Sequence, residues 1–499
     1  MPDQEIFLVK LEPDYAHHRF APPFGILFVA GALERAGFHV RMYHEPGTKS
    51  RINALIEDIV ENRPLFVGFS SFTSNCLLPT KEASQEIKKH GDIPVVWGGL
   101  HATMLPEQTL QNSFVDIIVM GEGEQTAVEL ARCLAADGKY SNPMKDIPGI
   151  GYRSGERILL NESRPYIQNL DDYSPGWHLL DRKRYIYTDK TFYSEIGSKL
   201  RGKKVSAVIT SRGCPHRCGY CYNQAVNKRK FRAQSPESVL KDIQQLKDVG
   251  VSTLIFEDDN FFANKNRALE IIRNMDMKWS STIRADYIAE WGEDFVAELK
   301  KHGCLELRIG AESGCVTTLD LIQKDLTVKH IRKAAALCNR QKINTLLNFM
   351  IGIPGETWAD VRESLDFMDE LENQYPYVTV GSPAIYIPWP GTQLSQKAAS
   401  MGFKPPDTLE GWASSWAQKA KLPPYVDKKM KFIGFYKSMT RKNVQDLTFG
   451  SLTKGLRKLA RIRWKKRFFR FPIDYYFPAL VLRGIRKLGL SSLSRKLYE

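Results

Sequence analysis

The sequence is short of several things, and each shortage excludes a class of protein. It has no run of about eighteen apolar residues, so no spanning helix is expected. Its start, MPDQEIFLVKLEPDY, lacks a basic stretch followed by an apolar core and a small-residue cleavage site, so no secretory signal is expected. Cysteine is scarce, at eight in 499 residues. Without an export signal these are expected as thiols rather than disulfides, in the cytoplasm. No GxGxxG follows the first strand pattern, so dinucleotide binding is unsupported. What is present suits a folded globular chain of roughly two to four domains, with 43% apolar and 25% charged residues.

Charge is unevenly spread. Of the net +15, residues 441–499 contribute +13, from 16 Lys and Arg against 3 Asp and Glu. The basic character belongs to a C-terminal module (396–499) and not to the body.

Residues 1–145 alternate apolar strand patterns with helical ones. EIFLVK, HVRMYH, LFVGFSSF, IPVVWGG and DIIVMG read as strands, and the segments between them as helices. That alternation predicts an α/β, doubly wound (Rossmann-like) parallel sheet, which binds ligands at the carboxyl ends of its strands. Those ends carry Ser70 and Ser71, then Gly98, Gly99 and His101, then Gly121, Glu122 and Gly123. Glycines there let a ligand approach the backbone. Residues 146–200 read as a connector with one hairpin around SGE. Residues 201–395 give a second βα series of six repeats, which predicts a partial, TIM-like (β/α)6 barrel with its chemistry at the strand C-termini.

Just after the first barrel strand stands CPHRCGYC, with Cys214, Cys218 and Cys221. The other five cysteines, Cys76, Cys133, Cys304, Cys315 and Cys338, are isolated and read as packing residues. Cys315 is in addition a candidate catalytic thiol. No ligand pair follows the triplet at zinc-finger spacing, and no fourth cysteine stands before a proline as in ferredoxins. Three thiolates around a four-iron cubane leave one iron open, and S-adenosylmethionine (SAM) can chelate such an iron through its amino and carboxylate groups.

CxxxCxxC after a first barrel strand, with Tyr220 before the last cysteine, resembles the radical SAM superfamily. The resemblance runs over residues 203–392. It implies a [4Fe-4S] cluster on the three cysteines, reductive cleavage of SAM to a 5′-deoxyadenosyl radical, and hydrogen abstraction from an unactivated carbon. It implies an external one-electron donor of the flavodoxin or ferredoxin type. By the same resemblance Glu257, Asp258 and Asp259 would meet the SAM ammonium, Arg284 its carboxylate, Glu312 the ribose, and Asn348, Ile351 and Gly352 the adenosine end. The first 145 residues, through PPFGILFVAGALERAG, VGFSS, VVWGGLHAT and GEGEQT, are similar to the cobalamin (B12)-binding class of that superfamily. The DxHxxG motif that supplies an axial histidine to cobalt is absent: Asp14 and His17 are one residue too far apart. The implied function is methylation of an unactivated carbon via methylcobalamin. A cyclase or rearrangement enzyme resembling anaerobic magnesium-protoporphyrin ester cyclase is the alternative, and a cobalamin- or cluster-based sensor with a nucleic-acid arm is the alternative from another class.

In the basic tail, Leu452, Leu456, Leu459 and Ala460 share one helical face among Lys454, Arg457, Lys458 and Arg461. Two readings stay open: a helix packed on the barrel, or one lying on an anionic membrane surface, peripheral at the inner face. The second favours a lipid or lipid-linked small-molecule substrate.

Overall fold

The computed structural model describes residues 5–13, 21–137, 142–187, 203–415, 421–440, 450–472 and 475. Asp14, His17 and most of 473–499 lie outside them.

The first sheet holds β1 (Glu5–Glu12), β2 (His39–Pro46), β3 (Phe66–Ser70), β4 (Val95–Gly98) and β5 (Ile117–Val119), all parallel, in the order β2-β1-β3-β4-β5. This is a doubly wound order whose direction of winding reverses between β1 and β3, where such sheets bind ligands. The strands read as near-continuous apolar runs because both faces are covered. Helices α1 (Phe24–Arg35) and α6 (Gly123–Asp137) cover one face, and α2 (Lys49–Asn62) and α3 (Leu77–Ile87) the other. The hairpin read within the connector is present as β6 (Ile150–Ser154) and β7 (Arg157–Leu160). It pairs antiparallel with β5, so the sheet runs past residue 145. Between β4 and α6 lie two short helices, α4 (Leu100–Met104) and α5 (Pro106–Leu110).

The second sheet is parallel, in the order β8 (Val205–Val208), β11 (Thr253–Phe256), β12 (Lys278–Ile283), β13 (Cys304–Glu312), β14 (Asn344–Ile351) and β15 (Val378–Val380). This is the expected six-stranded partial barrel. A short strand, β16 (Ala384–Ile385), pairs with the end of β14. A small ribbon of β9 (Ser211–Arg212) and β10 (Arg232–Ala233) interrupts the first βα unit and encloses α7 (Tyr222–Val226). Helices α8 (Pro236–Asp248), α9 (Lys265–Asn274), α10 (Ala285–Lys301), α11 (Val316–Leu321), α12 (Val328–Arg340) and α13 (Trp358–Gln374) connect the strands. Ser235 caps α8, accepting the Ser238 N–H at 3.2 Å, with Pro236 in the first turn. The sequence places the helix after β12 near Glu293. It begins eight residues earlier, at Ala285, and turns sharply at Gly292 (φ +80), the residue type that conformation favours.

After the barrel the chain returns to the first domain. Helix α14 (Gln393–Ser400) leads to α15 (Leu409–Ser415), whose Trp412 is buried there and donates to Gln108 Oε1 at 2.8 Å. Helices α16 (Ile433–Thr440) and α17 (Gly450–Lys465) pack on α13. Trp464 Nε1 donates to Asp369 Oδ1 at 2.8 Å, Arg467 pairs with Asp366 and Asp369, and the fully buried Lys437 pairs with Glu372. The described part of the basic tail is therefore a helical cap on the barrel. Among the described residues no helix is long and apolar enough to cross a membrane.

Candidate active site

The cysteine loop runs from β9 to α7 at the C-terminal end of the barrel. Its path depends on Gly213 (φ +82), where a Cβ would lie 2.1 Å from the Lys230 carbonyl oxygen. Asp259 grips both ends: Oδ2 accepts the Gly213 N–H at 2.8 Å, and Oδ1 accepts the Tyr222 hydroxyl at 2.5 Å. Gly219 is held from two sides, donating to Ile322 O at 2.8 Å and accepting from Leu394 N at 2.9 Å. Donors face the sulfurs. Asn260 Nδ2 lies 3.5 Å from Cys214 Sγ, and Arg284 Nη1 lies 3.8 Å from Cys218 Sγ.

Burial pushes Cys221 up to about 12 and raises Cys214 as well, so without metal these thiols are neutral. A metal that takes their protons converts them to thiolates. Among the described residues no three His, Cys, Asp or Glu side chains converge on a single ion. The donor set fits the cluster: three thiols on one pinned loop, with N–H groups aimed at sulfur. The remaining thiols are engaged elsewhere. Cys304 and Cys338 are buried together in the barrel core. Cys315 points to α13, donating to Asp360 Oδ1 at 3.3 Å.

Beside Cys218 and Cys221 lies a buried polar layer. Glu312, in the left-handed region (φ +62), accepts from Tyr220 at 2.9 Å and from Lys324 Nζ at 3.0 Å. Burial alone would lower the Lys324 ammonium, but Glu312 beside it keeps it raised. Arg284 forks onto Asp286 (Nη2–Oδ2 2.8 Å) and donates to Lys324 O. Of the acidic stretch, Glu257 and Asp259 face the domain interface, with Glu257 paired to Arg308 at 3.2 Å. Asp258 instead turns under the sheet. Its Oδ1 accepts from Thr210 N, Thr210 Oγ1 and Ser211 Oγ, and burial pushes it up to about 6. Asn348 is exposed on β14, while Ile351 is buried. Gly352 (φ +75) gives its N–H to Glu356 at 2.6 Å, a carboxyl that burial pushes up to about 7.

Across from the loop, between the two domains, is a cavity of about 340 Å³. Its floor is the strand-end edge of the first sheet: Ser70, Gly98, Gly99, Gly121, Glu122 and Gly123. Its roof comes from the barrel: Arg212, Tyr222, Asn227, Glu257 and Asp259. Gly98 is informative. It ends a strand without positive φ, and a Cβ there would meet only ordinary contacts, the nearest 3.7 Å away on Val119. Nothing in the fold demands glycine at this position, but a side chain would enter the cavity. Such an edge fits a broad, flat ligand such as a corrin. Ser71 and His101, expected on this edge, lie outside the cavity. Gly99 (φ +91) turns the chain so that Ser71 is spent on Gly98 O and the His101 N–H on Ser71 O. His101 Nδ1 bonds Thr73 Oγ1 at 3.0 Å, and its ring is fully buried.

The sequence reading passed over Arg212 and Arg232. Both meet Glu122, at 3.0 and 2.7 Å, and Arg212 also bonds Glu124. It passed over Asn260, Lys324 and Tyr222 too. The visible signal was adjacency, since Arg212 and Tyr222 flank the cysteines and Asn260 follows the acidic stretch.

Two family profiles match this layout: the radical SAM superfamily over residues 208–368 and the B12 binding domain over residues 18–131. The chain carries a radical SAM domain and a B12-binding domain. This radical SAM enzyme is 27% identical, over 385 residues, to an uncharacterised methyltransferase of Pyrococcus horikoshii, covering 76% of this chain and 78% of that one. It is 25% identical to the anaerobic magnesium-protoporphyrin IX monomethyl ester cyclase of Cereibacter sphaeroides, covering 75% of this chain but 60% of the cyclase. Its fold is similar to the radical SAM methyltransferase TsrM from Kitasatospora setae, solved with cobalamin and a [4Fe-4S] cluster (TM-score 0.63, 18% identity, 80% of this chain and 75% of that one). It is also similar to the cobalamin-dependent radical enzyme OxsB (TM-score 0.67, 17% identity, 97% and 75%).

Proposed function

We propose that this radical SAM enzyme is a cobalamin-dependent methyltransferase acting on an unactivated carbon of a small molecule. One observation carries the reading: the cysteine loop and the glycine-edged cavity share a wall, made of Tyr222, Glu257 and Asp259. When bound, the cluster with SAM supplies a hydrogen-abstracting radical, and methylcobalamin supplies the methyl group. The chain holds these together. Cys214, Cys218 and Cys221 would bind the cluster, with Asn260 and Arg284 donating to sulfur. Glu312, Lys324 and Arg284 form the charged layer in which SAM would be oriented, and Asn348, exposed within β14, would meet the adenosine end. Ser70, Gly98 and Gly121 would carry the corrin without an axial histidine from His101. Placement between the domains would bring the reacting groups together.

The test is anaerobic incubation with SAM, cobalamin and a low-potential reductant. 5′-Deoxyadenosine is expected, and an intact cluster that forms none overturns the reading. The cyclase relatives favour a second reading, which the same assay separates. Methyl transfer releases S-adenosylhomocysteine along with 5′-deoxyadenosine, whereas cyclisation releases no S-adenosylhomocysteine.

The electron that cleaves SAM would come from an external donor of the flavodoxin or ferredoxin type. The outer side of the tail supports contact with an anionic lipid surface. There Leu459, Ile462, Phe468 and Phe471 are exposed among Lys458, Arg461 and Lys465. The triple variant L459E/I462E/F471E keeps the barrel-facing side and is expected to lose binding to phosphatidylserine vesicles. Unchanged sedimentation with vesicles contradicts this.

A further inference from the structure

The ribbon β9–β10 sets Arg212 directly opposite Arg232. Like charges in that register repel, yet both side chains are largely buried. The pairing holds because Glu122 stands between them, accepting from Arg212 at 3.0 Å and from Arg232 at 2.7 Å, while Glu124 takes the other Arg212 nitrogen. The two arginines belong to the barrel. The two glutamates belong to the first domain, Glu122 to its glycine turn and Glu124 to the first turn of α6. Arg212 is two residues before Cys214, and the next residue, Gly213, is pinned by Asp259. Glu122, Glu124, Arg212 and Asp259 all line the cavity. Buried pairs of this kind add little net stability, but they fix a register, and removing one partner is strongly destabilising to that arrangement.

We infer that this four-residue latch couples the two cofactor sites, so that cluster assembly in the cysteine loop tightens cobalamin binding and bound cobalamin stabilises the cluster. Arg212 is the positioning residue. The inference rests on the reading of the cavity as a cobalamin site. By linkage the two effects are equal in free energy. The residues that flank the cysteine loop, Arg212 and Tyr222, are part of the roof that the corrin would touch. Arg212 takes Glu122 on Nη1 and Glu124 on Nη2, a planar fork that the compact ammonium of lysine does not reproduce.

The experiment titrates hydroxocobalamin anaerobically into the full-length chain, with and without reconstituted cluster, reading the dissociation constant by equilibrium dialysis. The wild type is expected to bind at least about fivefold more tightly with the cluster than without it. Arg212→Lys and Glu124→Gln, each checked for an unchanged circular dichroism spectrum and iron content, are expected to bind equally in both states. A simple scaffold role would weaken both states alike. Equal wild-type affinity in the two states, or a full difference retained in both variants, overturns the coupling and leaves the function intact. No cobalamin binding in either state overturns the cobalamin reading and the coupling with it.

Discussion

The two halves of the site are written in opposite ways. The barrel's half is made of side chains: three thiols, the carboxylate that pins their loop, and the donors that face their sulfurs. The first domain's half is made mainly of omitted ones: Gly98, Gly99, Gly121 and Gly123 leave an edge open at the strand ends. A cluster is held by bonds that specific atoms must make. A broad corrin is held by area, so its site needs room more than it needs particular ligands.

That contrast predicts opposite mutational logic. Deleting a side chain should break the barrel's half. Alanine at Cys214, Cys218 or Cys221 is expected to reduce bound iron to background, while serine at Cys304, Cys315 or Cys338 leaves it unchanged, as read by iron and sulfide assay. Adding a side chain should break the other half. Gly98→Leu is expected to weaken cobalamin binding by at least about tenfold, roughly 1.4 kcal/mol, with cluster content and circular dichroism intact. Unimpaired binding by that variant would mean the ligand does not lie on this edge.

Two effects on stability mark where neither logic applies. Glu12, at the end of β1, bonds His44 Nε2 at 3.1 Å and Lys10 at 2.9 Å. Burial alone would raise its pKa, but His44 and Lys10 outweigh burial and lower it to about 2 from 4.5. A lowered folded pKa gives stability that is present above about pH 4.5 and lost as pH falls toward 2. The wild type should therefore exceed Glu12→Gln by about 3 kcal/mol at pH 7, and the gap should close near pH 2 in denaturant titrations. On the tail, Trp464→Ala should destabilise the protein by about 3 kcal/mol, because the ring is buried and its nitrogen is bonded to Asp369. Ile462→Ala, on the outer side, should change stability by less than about 0.5 kcal/mol. Equal effects would contradict the assignment of the two faces.

Much of the fold was legible because both sheets are buried on both faces, so each parallel strand appears as an apolar run between amphipathic helices. The thiol triplet was legible because three ligands fall within eight residues. The pairings across the chain were not. Glu122 looks like any acid in a glycine turn, and only the approach of the two domains brings it to Arg212, ninety residues away. Asp258 and Asp259 are neighbours of one type, yet in the turn after β11 one faces Thr210 and Ser211 and the other the cysteine loop. His101 reads as a ligand in sequence. The turn at Gly99 buries it against Thr73.

The central claim is that one interface serves both cofactors. It is tested most directly by reconstituting the full-length chain anaerobically with iron, sulfide and hydroxocobalamin, removing unbound material, and counting what each chain retains. About four iron atoms and about one cobalamin per chain are expected together. A fully cluster-loaded chain that retains no cobalamin would contradict the account.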